Sequence, residues 1–87
     1  MEDDRLSRAI SASSRRKIIH LLNKERTVKE ISELTGMSVS LTSRHLSLLY
    51  DLGFLKARKQ FPNKFYSLKV QKLQSLMVVY DEVMNKL

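Results

Sequence analysis

Ser40, Ser43, Arg44, Ser47 and Asp51 recur at three- and four-residue intervals, so a helix over this stretch gathers them on one side. The chemistry of such a side is hydrogen bonding and ion pairing. Short hydroxyls let another surface come close, and one guanidinium offers a planar fork of donors for phosphate or paired acceptors. Farther along, Arg58, Lys59 and Lys64 surround the neutral amides Gln60 and Asn63, a set suited to holding an anionic polymer. No glycine-rich phosphate loop, carboxylate pair or nucleophile beside a base is visible, so an enzyme is the least favoured class. The absence of cysteine excludes disulfides, thiolate metal sites and cysteine nucleophiles, and fits a reducing compartment. His20 and His45 have no cysteine or carboxylate at ligand spacing, so no metal and no cofactor is assigned. His45 falls on an apolar face, where an imidazole is expected to bond a carbonyl or pack sideways.

These side chains need elements to position them. Ser38 can cap a helix from Val39 to about Asp51, ended by Gly53, whose core side is Leu41, Thr42, His45, Leu46, Leu48, Leu49 and Leu52. Before it, Thr27-Val28-Lys29-Glu30 has the capping-box pattern, in which threonine and glutamate each satisfy a backbone N–H at a helix start. That helix places Val28, Ile31 and Leu34 on one stripe and stops at Thr35-Gly36. Two capped helices joined by a short glycine turn form a helix-turn-helix. Upstream, Leu6, Ala9 and Ile10 mark a short helix within 3–11; Ser13 or Ser14 is expected to cap a second helix to about Asn23, followed by a polar connection through Arg26. Downstream, Phe54–Gln60 and Lys64–Leu68 flank Phe61-Pro62-Asn63, a hairpin whose turn is expected to exceed two residues. Helical periodicity returns from Lys69 to Leu87. The expectation is a mainly α fold with a small β-hairpin, in the order of four helices, two strands and one helix: a winged helix-turn-helix in a single domain over 1–87.

A chain of 87 residues has enough side chains for one core, and a small one, so a partner subunit that covers apolar area is expected. In the last helix Val70, Leu73, Met77, Tyr80, Met84 and Leu87 follow an a/d seam, and Leu76, Val79 and Val83 widen it. The expected dimer interface is therefore Leu6, Ile10, Val70, Leu73, Met77, Tyr80 and Met84. The formal net charge of +7 is concentrated in two acid-free blocks, Arg5–Lys17 and Lys56–Lys72, with charges cancelling between them. This distribution favours a polyanion. No apolar run is long enough for a membrane span, the first residues Glu2-Asp3-Asp4 are acidic, and Asp81-Glu82 argues against a membrane-surface helix. The expectation is a cytoplasmic protein without a membrane partner.

With the polar side of 38–51 in a major groove, Ser38, Ser40, Ser43, Arg44 and Ser47, together with Thr27 and Lys29 at the preceding helix start, are the candidate duplex contacts. Arg58, Lys59, Gln60, Asn63 and Lys64 are the candidate backbone contacts of the wing. Phe54, Leu55, Phe65 and Tyr66 are expected to hold the hairpin to the core. The runs Ile18-Ile19-His20-Leu21-Leu22, Glu30 to Ser38, Ser43-Arg44-His45-Leu46-Ser47-Leu48-Leu49 and Gly53-Phe54-Leu55 resemble the ArsR-type winged-helix repressors over roughly Ser11 to Leu68. The resemblance implies a homodimer built from the first and last helices, a recognition helix at Ser38–Asp51, a β-wing and repression of a nearby promoter. Arsenic- and cadmium-sensing members carry Cys-x-Cys where this chain has Thr27 and Lys29, and zinc-type members carry ligands on the last helix, which here lacks histidine; neither metal site is expected. Arg16 stands at a usually apolar position, implying a more exposed start of the second helix. The resulting expectation is a homodimeric, sequence-specific double-stranded DNA-binding transcriptional regulator. The alternative is a winged-helix module that binds RNA or an acidic protein.

Overall fold

In the computed structural model, which describes residues 2–87, the chain runs α1 (Arg5–Ile10), α2 (Ser13–Leu21), β1 (Arg26–Thr27), α3 (Val28–Thr35), α4 (Val39–Asp51), β2 (Leu55–Gln60), β3 (Asn63–Leu68) and α5 (Lys72–Asn85). This is the expected class and order, with a two-residue strand in addition. Strand β1 pairs antiparallel with β3 through Arg26↔Tyr66 and Thr27↔Phe65, giving a sheet in the order β1-β3-β2. A pair of residues is too short to carry an alternation pattern, so the polar connection conceals it in the sequence.

One core lies between the helices and one face of the sheet. Ile18, Ile19 and Leu22 from α2 and its end, Ile31 from α3, Leu46 and Leu49 from α4, Leu68 from β3 and Met77 from α5 are fully buried. Leu55, Tyr66 and Leu73 close its sides. Burying side chains of this size stabilises the fold by about 1.5–3 kcal/mol each relative to exposure, which is why residues from so many elements hold α4 firmly.

Several boundaries differ from expectation. Ala12, not Ser13 or Ser14, occupies the N-cap of α2 in an extended conformation, without a side-chain cap; only Ser11 and Ala12 separate α1 from α2, so the serines already lie in the first turn. Gln60 pairs directly with Asn63, so the turn is just Phe61–Pro62, joined by a cis peptide bond. Leu34 is 56% exposed and Leu41 is also exposed: each lies at the edge of its apolar stripe, beyond the reach of the core. Helix α5 starts three residues later than the periodicity suggests, leaving Val70 ahead of it.

Candidate nucleic-acid interface

The helix-turn-helix is set by local hydrogen bonds. Thr27 Oγ1 accepts from Glu30 N at 3.2 Å, and Thr27 N donates to Glu30 Oε1 at 3.0 Å, so the expected capping box is complete. The backbone and hydroxyl donors of Thr27 hold the Glu30 carboxyl below its ordinary value. Gly36 then takes φ 77°; a side chain there would have open space around it, so the requirement is the left-handed backbone alone. Buried Ser32 donates to Met37 O at 2.6 Å across the turn. Ser38 Oγ accepts from Leu41 N at 3.0 Å, and buried Thr42 donates to Ser38 O at 2.8 Å. The angle between α3 and α4 is thereby fixed by hydrogen bonds on both sides of the turn.

On α4, Ser40, Arg44, Ser47 and Asp51 are exposed and Ser43 is half-buried. Arg44 takes part in none of the three ion pairs among the described residues. Its charge remains available to an outside acceptor.

The opposite side of α4 is anchored by a residue that no sequence pattern singles out. Arg15 donates to Ala9 O at 3.0 Å, Arg8 O at 2.9 Å and Ser11 Oγ at 3.0 Å, and its Nη1 lies 3.3 Å from His45 Nδ1. Because guanidinium has no acceptor, Nδ1 must be the unprotonated nitrogen of a neutral imidazole. Burial, followed by the Arg15 and Arg44 charges, lowers the His45 pKa and favours that state. His45 therefore bonds an arginine where a backbone carbonyl was one expected partner. One side chain joins the end of α1 to the back of α4. Arg16 behaves similarly: it is half-buried, donates to Ile10 O at 2.6 Å and stacks 4.9 Å from the Tyr80 ring centroid, so the start of α2 is covered rather than opened. A cation after a helix corner looks the same in sequence whether it meets carbonyls or water.

The wing divides its cations. Arg58 forms a bidentate pair with Glu25, at 3.0 and 3.1 Å, donates to Gln60 Oε1 at 2.7 Å and covers the Phe65 ring. The Arg58 hydrogen bond lowers the Glu25 pKa, and Glu25 in turn raises that of Arg58. Among the residues selected from sequence, Arg58, Gln60, Thr27 and the capping hydroxyl of Ser38 are thus occupied within the molecule. Lys59 and Lys64 are direct cross-strand neighbours, and Lys64 Nζ lies over Tyr66 and Tyr50 at 5.2 and 5.9 Å. Like charges placed opposite one another repel, a cost that an anion between them would offset. Lys29, Lys59, Asn63 and Lys64 are all exposed.

The expected dimer set requires correction. Met77 is fully buried within its own subunit, which leaves it no surface for a second one, and Leu73 is nearly so; Tyr80 and Ile10 also pack against that core. Leu6, Val70 and Met84 are exposed, and so are Leu76, Val79 and Val83. The free stripe of α5 is the one expected to be its flank. Gln74 Nε2 donates to Ile19 O and His20 O, both at 3.0 Å, and His20 pairs with Asp81 at 2.8 Å; these bonds to α2 select which stripe turns inward. A groove of about 610 Å³ lined by Leu6, Phe54, Val70, Leu73, Leu76 and Val79 runs beside the free stripe. Among the described residues, no helix is long and apolar enough to cross a membrane.

The model of the arsR family of bacterial regulatory proteins matches residues 12–57, which is more than half of the chain. The fold is similar to a homodimeric winged helix-turn-helix DNA-binding domain from Mycobacterium bovis, with TM-score 0.81 and 26% identity over 94% of this chain and 77% of that one. It is also similar to HlyU from Vibrio cholerae, with TM-score 0.81 and 26% identity over 95% of this chain and 97% of that one. The transcriptional repressor BigR from Xylella fastidiosa shares the fold, with TM-score 0.83 at 22% identity, over 91% of this chain and 82% of that one.

Proposed function

The chain belongs to the arsR family of bacterial regulatory proteins, and from that premise we propose that it is a homodimeric transcriptional repressor that reads a specific double-stranded DNA site. In this reading residues 1–87 form a single domain that both pairs with its copy and binds the operator, in the cytoplasm. Each α4 enters a major groove, where Arg44 reads a base pair and Ser40, Ser43 and Ser47 allow close approach. Lys29, Lys59 and Lys64 hold phosphates, with Asn63 beside them and Ser38 at the helix start. The observation that carries this reading is the exposed Ser-Arg face of α4, held by a bonded turn in front and by Arg15 behind. The apolar stripe Leu76, Val79 and Val83 with Leu6 and Val70 supplies the self-complementary surface. Thr27 and Lys29 offer a capped hydroxyl and an ammonium, not soft-metal ligands, so no metal effector is included at that place.

The test is to measure binding of duplex DNA, single-stranded RNA and heparin at two salt concentrations. The expected result is a preference for a cognate duplex that persists at the higher salt, while heparin binding falls steeply. Preference for the single strand would favour the RNA-binding alternative.

A further inference from the structure

Phe61 is 98% exposed at the tip of the β2–β3 hairpin. The last hairpin pair that touches the core is Ala57↔Tyr66; beyond it come Arg58↔Phe65, Lys59↔Lys64 and Gln60↔Asn63, and then the Phe61–Pro62 turn. At about 3.3 Å per residue the tip therefore stands about 13 Å beyond the core. Directly paired residues share a face, so Lys59 and Lys64 flank the tip on one side, while Gln60 and Asn63 flank it on the other. Phe61, Pro62, Asn63 and the two lysines line a small cleft of about 220 Å³. The molecule thus carries its most exposed aromatic ring at the tip of a hairpin, with two cations on one face of the ladder beside it. A solvated turn needs no ring, and two exposed lysines paired across the strands favour an anion nearby.

Resting on the DNA-binding reading above, we propose that Phe61 is a wedge that the wing inserts between adjacent base pairs from the minor groove, bending the duplex. The minor groove is about 6 Å wide, too narrow for a whole hairpin but accessible to its tip. Apolar side chains in that groove unstack a base step and kink the helix toward the major groove. Lys59 and Lys64, one on each strand, meet the phosphates beside the entry point. Pyrimidine–purine steps unstack at the least cost, so the wedge adds a preference for such a step at a position that α4 does not touch.

The test uses the full chain and its variants Phe61→Ala, Phe61→Trp and Lys64→Ala. Bending is read by energy transfer between dyes at the two ends of a duplex selected by the wild-type protein. The natural chain has no tryptophan, so the single indole of the Phe61→Trp variant reports the surroundings of the wing tip. The expected results are quenched indole emission in the saturated complex and loss of the bend in Phe61→Ala. Phe61→Ala should also lose about 5- to 150-fold in affinity, the range for stacking one base on an aromatic ring. Lys64→Ala should keep the bend. Wild-type-like bending and affinity in Phe61→Ala, or unquenched emission from Phe61→Trp on bound duplex, would overturn the wedge and leave DNA binding standing. Failure of the wild-type protein to bind any duplex would remove both. Emission from Phe61→Trp that shifts with phosphatidylserine vesicles but not with duplex would make the tip a lipid contact and overturn the proposal.

Discussion

Helices α4 and α5 have nearly the same length and both alternate apolar and polar residues at helical spacing, yet they present opposite surfaces. Helix α4 buries Thr42, Leu46 and Leu49 and leaves hydroxyls and Arg44 outside. Helix α5 buries Leu73 and Met77 and leaves Leu76, Val78, Val79, Val83 and Met84 exposed. A polar outer face is at equilibrium with water or a groove edge, whereas an apolar stripe gains stability only when another surface covers it. The exposed apolar residues of α4, Val39, Leu41 and Tyr50, are separated by hydroxyls and Arg44, whereas those of α5 run together from Leu76 to Met84 and leave that side incomplete. This division separates the surface proposed to read DNA from the surface proposed to pair the subunits, and each can be altered alone.

Placing a charge on α5 should have the strongest consequence. Val79→Glu should raise the dimer dissociation constant by about 100-fold or more, since an unpaired carboxylate at a buried interface costs roughly 3 kcal/mol or more; sedimentation would show monomers with native helix content. Met77→Ala, one stripe away, should instead lower folding stability by about 2–5 kcal/mol in a denaturant titration. If both variants only weaken folding, the two faces of α5 do not differ as described. On α4, Arg44→Ala should cost about 1–3 kcal/mol on the cognate duplex and much less on a scrambled one; equal losses would reduce Arg44 to a phosphate contact. In the wing, Lys64→Ala should weaken binding to all sequences and reduce the salt slope by roughly one. Arg58→Ala should change that slope less, because Glu25 already neutralises Arg58.

The mildest change is expected at the anchor behind α4. His45 in the unfolded chain titrates near 6.5, and in the fold lower. Between those two values the unfolded chain binds a proton that the folded one refuses. Stability should therefore fall as pH drops below about 6.5, level off beneath the folded value and stay constant above. Comparing the pH dependence of thermal unfolding with that of His45→Gln, which cannot titrate, checks this; identical profiles would show that the fold, through burial and the Arg15 and Arg44 charges, does not disfavour the protonated imidazole.

What could be read from the sequence follows the physics of each feature. The Thr27 capping box, the Gly36 turn and the Ser38 cap are local, and each signal spans no more than a few residues, so the starts of α3 and α4 were legible to the residue. The apolar stripe of α5 was legible as a stripe, but Leu73-Met77-Tyr80 and Leu76-Val79-Val83 both satisfy helical spacing. What tells them apart is long-range: Gln74 on the α2 carbonyls and His20 on Asp81 accompany the stripe that turns inward. Those bonds link residues more than fifty positions apart, and no short-range pattern encodes them. The same holds for Arg58, whose partner Glu25 precedes the helix-turn-helix. A wing cation paired across the fold and one left for phosphate are spelled alike.

If the apolar stripe of α5 pairs two subunits about a two-fold axis, both copies of α4 must read one DNA site together. Selecting bound sequences from a random duplex pool measures this in a single experiment. The expected outcome is enrichment of two inverted half-sites with centres about 10–10.5 base pairs apart. A pool that stays random, or that converges on one asymmetric element bound by a single subunit, would contradict the paired reading.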